Sequence, residues 1–183
     1  MKKDLDPRRL DVKSFAEAAV ELSGMERLGD HPRLMAETGG RGADMRLAWS
    51  ATGEMRNPGH VHPEIWLHLE ANTVLSLTCQ RCLAPVEVTV KVARPFRFVR
   101  DEAIAMAQDD QSEEDLLALS RSFDLIELVE DELLMDLPVA PRHEVCPVVV
   151  KLAAADEDFE AAAPAPRENP FALLQRLKTR KAE

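Results

Sequence analysis

Between Val86 and Val92 every second residue is valine, and Glu87, Thr89 and Lys91 fill the gaps. A β-branched side chain at a period of two covers one face of an extended chain and leaves the other face polar. A helix would scatter the same valines around its axis. The pattern therefore calls for a strand with one face on a core, as antiparallel sheets have. The same alternation occurs twice earlier. Met45, Leu47, Trp49 and Ala51 share one side, with Arg46, Ala48 and Ser50 opposite. Ile65, Leu67 and Leu69 share another, with Trp66, His68 and Glu70 opposite. Val74–Thr78 reads as a further strand, and Pro85 suits the entry to the one after it. Residues 79–84 then form the tip of a β-hairpin.

The rest of the chain is read with other periods. Ser14–Ala19 suits the opening of a helix and Val20-Glu21-Leu22 alternates like a strand, but Gly24, Gly29, Gly39, Gly40 and Gly42 interrupt any longer pattern. Leu125, Val129, Leu133 and Leu137 recur every four residues, with Ile126 widening the stripe, so Asp124–Leu137 reads as a helix. Asp124 is a good N-cap, Glu127 stands three residues later, and Phe123 with Leu128 fits a hydrophobic staple. Pro138 ends the helix. Residues 110–118 read as an acidic loop, and Glu130, Asp131 and Glu132 as the wet face of the helix. Residues 153–168, rich in Ala, Pro and acids, read as a flexible linker. Residues 169–183 read as a basic amphipathic helix: Asn169 caps it, Pro170 takes its first position, and Phe171, Leu174 and Leu177 line one face. The expected architecture is α+β: residues 1–152 form one domain, an antiparallel sheet or partly closed barrel with a packed acidic helix, and a C-terminal helix is tethered to it.

Charge narrows the choice of partners. The chain carries a net charge of −10. Residues 101–136 hold thirteen acidic side chains against one basic, Arg121, a net of −12, so the remainder is slightly basic. Such a molecule repels a phosphate backbone except at a local basic patch, and its acidic region meets basic partners more readily. No stretch approaches the roughly 18 apolar residues of a membrane span, and the opening MKKDLDPRRLDV has no apolar run to make a signal peptide. Three cysteines do not make a disulfide framework. The expected compartment is the cytoplasm, where thiols stay reduced.

Cys79 and Cys82 lie at the predicted hairpin tip, a turn that aims both sulfurs at one point. The third cysteine, Cys146, has His143 three residues before it. Zinc in structural sites takes four soft or imidazole ligands, so Cys79, Cys82, His143 and Cys146 are the candidate set for one structural zinc. Sixty-three residues separate Cys82 from Cys146, more than the usual roughly 15–20 between two claws, and the fold must bring the halves together. Two other readings stay open: a hairpin with two reduced thiols and an unrelated Cys146, and a thiol-redox or metal-handling protein centred on the Cys79–Cys82 pair. Redox pairs of the thioredoxin kind open a helix in a βαβ setting, whereas this setting is strand–turn–strand. His60 and His62 form an His-x-His pair, but Pro58, Gly59 and Pro63 mark a solvated loop. Arg94-Pro95-Phe96-Arg97-Phe98-Val99-Arg100 interleaves cations with aromatics, the residue set that stacks bases and grips phosphates; an ordinary strand with Phe96 and Phe98 in the core accounts for it more simply. No serine–histidine–acid arrangement or Gly-rich phosphate loop argues for an enzyme.

Three blocks, LTCQRCLAPV (77–86), DLIELVEDELLMDLPVAPRHEVC (124–146) and NPFALLQRLK (169–178), together with the opening DPRRL (6–10), resemble the YceD family of large ribosomal RNA subunit accumulation proteins. The resemblance implies a bacterial cytoplasmic protein without catalytic activity. It implies a role in 23S rRNA accumulation and large-subunit assembly, with a large-subunit ribosomal protein, pre-23S rRNA, or both as partners. It also implies a second Cys-x-x-Cys after the acidic helix, where this chain has His143 and Cys146 instead. Removing the residues after Ala165 is expected to leave the fold intact and to weaken association with large-subunit precursors. Equal co-sedimentation of full-length and truncated protein would defeat that expectation.

Overall fold

A computed structural model of the chain describes residues 5–61 and 63–148. The linker expected at 153–168 and the helix expected at 169–183 lie outside the described residues, as does His62. Five strands lie side by side in chain order: β1 (Glu21–Arg27), β2 (Arg46–Arg56), β3 (Glu64–Thr78), β4 (Pro85–Val99) and β5 (Asp115–Ala118). β1 to β4 run antiparallel. β5 joins β4 in parallel, with Phe96 opposite Asp115 and Val99 opposite Ala118. A parallel neighbour needs a crossover. Here the crossover holds helix α3 (Glu102–Gln108) and a short 3-10 turn. The sheet is open, with β1 and β5 as its edges, so the barrel alternative is not the one adopted. The acidic loop expected at 110–118 is shorter than the charge run suggests, because Leu116 enters the core and draws residues 115–118 into β5.

The alternation places the core. Leu47, Trp49 and Ala51 on β2, the odd-numbered residues from Ile65 to Leu77 on β3, and Val86, Val90, Val92, Phe96 and Phe98 on β4 are all buried. Helices α1 (Val12–Ala18) and α4 (Leu125–Met135) cover this side: α1 packs across β2 and β3, and α4 against β3 and β4. A Cβ on Gly53 would sit 2.9 Å from backbone atoms of Ala16, so the glycine is what lets α1 lie so close on β2. Trp66 is the exception to the alternation. It points to the other face yet is only 5 % exposed. A polar cover hides it: Arg56 lies 4.0 Å above the ring, His68 stacks beside it, and the indole N–H donates to Glu64 Oε2 at 3.1 Å.

α4 carries its expected stripe, with Leu125, Val129 and Leu133 fully buried. Asp124 accepts hydrogen bonds from the backbone N–H groups of Ile126 (3.0 Å) and Glu127 (2.9 Å). The residues before it are tied to the N-terminal arm, where Leu10 and Phe123 exchange backbone hydrogen bonds. The reading of Glu130 and Glu132 as a wet face needs correction, because both are buried. Glu130 Oε1 accepts from the backbone N–H groups of Arg33 (2.9 Å) and Leu34 (3.1 Å), and Oε2 accepts from Arg33 Nε (3.2 Å). Those amides open helix α2 (Pro32–Glu37), whose preceding residue, His31, provides no side-chain cap. A carboxylate from a distant helix therefore satisfies the orphan donors. Glu132 Oε2 lies 3.2 Å from Arg94 Nε; burial pushes its pKa up and Arg94 opposes the rise. These partners lie in segments with no helical period, so the pairing has no local sequence signal. Glu130→Ala is expected to destabilise the protein by roughly 2–3 kcal/mol, as loss of charged hydrogen bonds to a buried helix end does, with Glu130→Gln losing less. Urea denaturation measures both.

Candidate metal centre

The β3–β4 hairpin pairs from Ile65 opposite Phe98 to Thr78 opposite Pro85, which leaves residues 79–84 as its tip. The Cys79 N–H donates to the Ala84 carbonyl at 3.0 Å, and the Leu83 N–H to the Cys79 carbonyl at 2.9 Å. Leu83 closes the turn in the left-handed region, at φ +62°, a conformation that costs a non-glycine residue roughly 1–2 kcal/mol. The tight turn brings the Cys82 thiol back towards that of Cys79. Cys79 is fully buried and Cys82 half-buried.

The second half arrives from beyond α4. The chain turns at Pro138 and runs back to the hairpin tip, where the Gln80 N–H donates to the carbonyl of buried Pro141 at 2.8 Å. That anchor sets His143 and Cys146 against the first pair. Cys146 Sγ lies 3.9 Å from Cys79 Sγ, and His143 Nδ1 lies 3.4 Å from Cys82 Sγ. The ligand atoms of all four residues lie within 4.8 Å of one another. The four residues singled out from the sequence thus converge, although two strands and two helices separate the halves.

This donor set suits a metal ion in three respects. First, sulfurs bound tetrahedrally at about 2.3 Å stand about 3.8 Å apart, close to the Cys79–Cys146 separation. Second, His143 Nε2 lies 3.0 Å from the Pro85 carbonyl. A carbonyl can only accept, so Nε2 carries the proton and Nδ1 presents its lone pair to the cluster, the outer-shell arrangement typical of ligating histidines. Third, three thiolates around a divalent cation leave one negative charge in excess. Arg81 answers it: its Nε donates to Cys146 Sγ at 2.9 Å, and its Nη2 donates to the carbonyls of His143 (2.9 Å) and Glu144 (3.3 Å). One guanidinium from the first claw therefore grips the second.

The sulfurs are electrostatically unequal. Burial pushes the Cys79 thiol up, but hydrogen bonds from the backbone of His143, Arg81 and Cys82 and from the Cys82 side chain outweigh it and bring Cys79 from 9.0 down to about 5. At Cys82 the Ala84 backbone pulls the pKa down, while burial and the neighbouring Cys146 and Cys79 sulfurs leave it raised. The first thiolate to form thus disfavours the next, and a bound cation would remove that conflict.

The other candidates do not converge on a site. His60 is exposed in the β2–β3 loop. Phe96 and Phe98 are core residues, Arg94 pairs with Asp115 and Glu132, and Arg100 pairs with Asp101, so the cation–aromatic run is a strand and not a stacking platform. Arg81, Gln80 and the Pro85 carbonyl are the functional groups that ligand spacing alone passes over. The one available signal was the position of Arg81 between two ligands.

An open sheet with a Cys₃His cluster joining its central hairpin to the segment after a packed helix defines a small α+β protein with a candidate structural metal centre. No solved structure matches the chain. A family model described as "Large ribosomal RNA subunit accumulation protein YceD" matches residues 67–178, more than half of the chain, so the chain belongs to that family. The matched region begins on β3 and includes all four cluster residues. Arg81→Ala is expected to weaken binding of cobalt(II), used as a spectroscopic probe, by roughly 10–100-fold, with Arg81→Lys intermediate. Titration of the thiolate-to-metal absorption band reads the change.

Proposed function

We propose that this chain is a non-catalytic assembly factor of the cytoplasm that supports accumulation of 23S rRNA and maturation of the large ribosomal subunit. It does so by binding a basic large-subunit ribosomal protein, pre-23S rRNA, or both. The match to the family model over residues 67–178 carries this reading. Among the described residues no helix is long and apolar enough to cross a membrane, which agrees with such a role. The distribution of charge supports a basic protein as one partner. Glu130 and Glu132 are engaged by Arg33 and Arg94, but Asp109, Asp110 and Glu113 stand exposed around the crossover, and Glu127 and Asp136 on and beside α4. An exposed acidic surface of this kind speeds encounter with a cationic partner and does so less at high salt.

In this reading the Cys79, Cys82, His143 and Cys146 cluster holds one structural zinc. Four protein ligands leave no open coordination position, which suits a structural ion and not a catalytic one. The metal's contribution is to lock the end of the hairpin to the segment after α4, giving a partner a rigid rim.

A thiol-redox role for Cys79 and Cys82 has one observation in its favour, the lowered Cys79 pKa. The complete burial of Cys79 weighs against it, since thiol exchange needs access to the attacking sulfur. A pull-down from cells at low and high salt, with protein and RNA partners both identified, tests the assembly reading. Large-subunit precursor components are expected at low salt and depleted at high salt. Their absence at low salt, together with a reversible Cys79–Cys82 disulfide near the cytosolic potential, would favour the redox reading instead.

A further inference from the structure

One edge of the sheet is left open. Along β1 the Leu28 N–H donates to the Met45 carbonyl at 2.8 Å, and Val20 accepts from the Gly53 N–H at 3.4 Å. Leu28 lies opposite Met45 and Val20 opposite Gly53 in the β1–β2 register, so the even-numbered residues of β1 turn their backbone groups towards β2. The odd-numbered ones, Glu21, Ser23, Met25 and Arg27, turn theirs outwards. Among the described residues nothing pairs with those outward N–H and C=O groups. All four side chains are exposed.

The other edges are short or covered. β5 has four residues, and Arg41 lies along the part of β3 that β2 does not reach. β1 is seven residues long, pairs with β2 through all seven without a bulge, and contains no proline. Such an edge is a template for a further strand.

The charge pattern selects the strand that fits. Set a second copy of β1 antiparallel, with Gly24 opposite Gly24. Glu21 then lies opposite Arg27 of the copy, and Arg27 opposite its Glu21. Ser23 and Met25 face Met25 and Ser23. All of these are the outward-turned residues, so the register that pairs the charges also completes the backbone hydrogen bonds. A shift by two residues loses both ion pairs, and a parallel alignment sets like charges together. Neither the Glu21 nor the Arg27 side chain has another partner among the described residues. On the core side Leu22 meets Glu26 of the copy, which brings no like charges together.

We propose that β1 pairs antiparallel with β1 of a second copy of this chain, joining two five-stranded sheets into one continuous sheet across a twofold axis at Gly24. A strand of a basic protein fits less well, because it gains from Glu21 but meets Arg27. The inference is independent of the assembly reading.

Sedimentation equilibrium of the full-length chain over a concentration series tests it. One seven-residue strand makes a small interface, so the expected dimer is weak and concentration-dependent. Glu21→Arg and Arg27→Glu are each expected to weaken it roughly tenfold or more, because twofold symmetry repeats each like-charge pair. An equimolar mixture of these two variants is expected to regain wild-type association, since the two arginines of one chain then face the two glutamates of the other. Ser23→Pro removes an outward N–H and leaves the β2 ladder intact, so it is expected to abolish the dimer with an unchanged circular dichroism spectrum. A monomer at every concentration, a dimer insensitive to both charge reversals, or a mixture no more associated than its components would overturn the proposal. A monomeric wild type that binds large-subunit precursors, with binding lost in Ser23→Pro, would also overturn it and assign the edge to a strand of another protein.

Discussion

The long β3–β4 pairing is the constraint on which the rest of the molecule depends. Its register runs unbroken from Ile65 opposite Phe98 to Thr78 opposite Pro85. Because side chains alternate, a slip of one residue would turn every core-facing residue of one strand to the other face. The register therefore fixes more than the sheet. It sets the cysteine turn at one end, and it gives α4 the apolar surface on which to lie. β2 pairs with β3 only from Arg56 back to Ala48. Beyond that the outer edge of β3 is covered by Arg41, whose guanidinium donates to the Ser76 carbonyl and to Thr78 Oγ1, a covering that limits edge-to-edge association.

Long-range polar contacts close the structure around that hairpin. Glu130 caps α2 from α4, Gln80 holds Pro141, and Arg81 holds the His143–Glu144 backbone together with Cys146. Each joins segments far apart in sequence, and each satisfies a backbone group or a charge that burial would otherwise penalise. The acidic character of the chain is thus partly internal. Some carboxylates hold the fold together, and only the remainder face solvent.

How much of this was legible in the sequence follows from where the energy lies. The strands were legible, because a period of two records burial on one face: the valines of 86–92 and the leucines of 65–69 mark the core directly. α4 was legible from its stripe and from the Asp124 cap. The cysteine turn was legible because two strands bracket it, and His143 and Cys146 could be singled out by ligand chemistry, although only the return of the chain through Pro141 brings them to it. α2 and α3, of six and seven residues, are too short to carry a periodic signal, and α2 depends on a cap from elsewhere. β5 was hidden inside an acidic run because burial of Leu116 decides its state, not local propensity. Glu130, Glu132 and Trp66 were misplaced or left unexplained for the same reason, since their partners are tertiary.

The central claim is that the fold joins two distant half-claws into one metal centre. Native mass spectrometry of the protein purified without added metal tests it most directly. The account predicts the mass of one zinc ion per chain, lost together in Cys79→Ser and Cys146→Ser variants that remain folded. A metal-free chain with three freely titrating thiols, or zinc retained after replacement of Cys146, would contradict it.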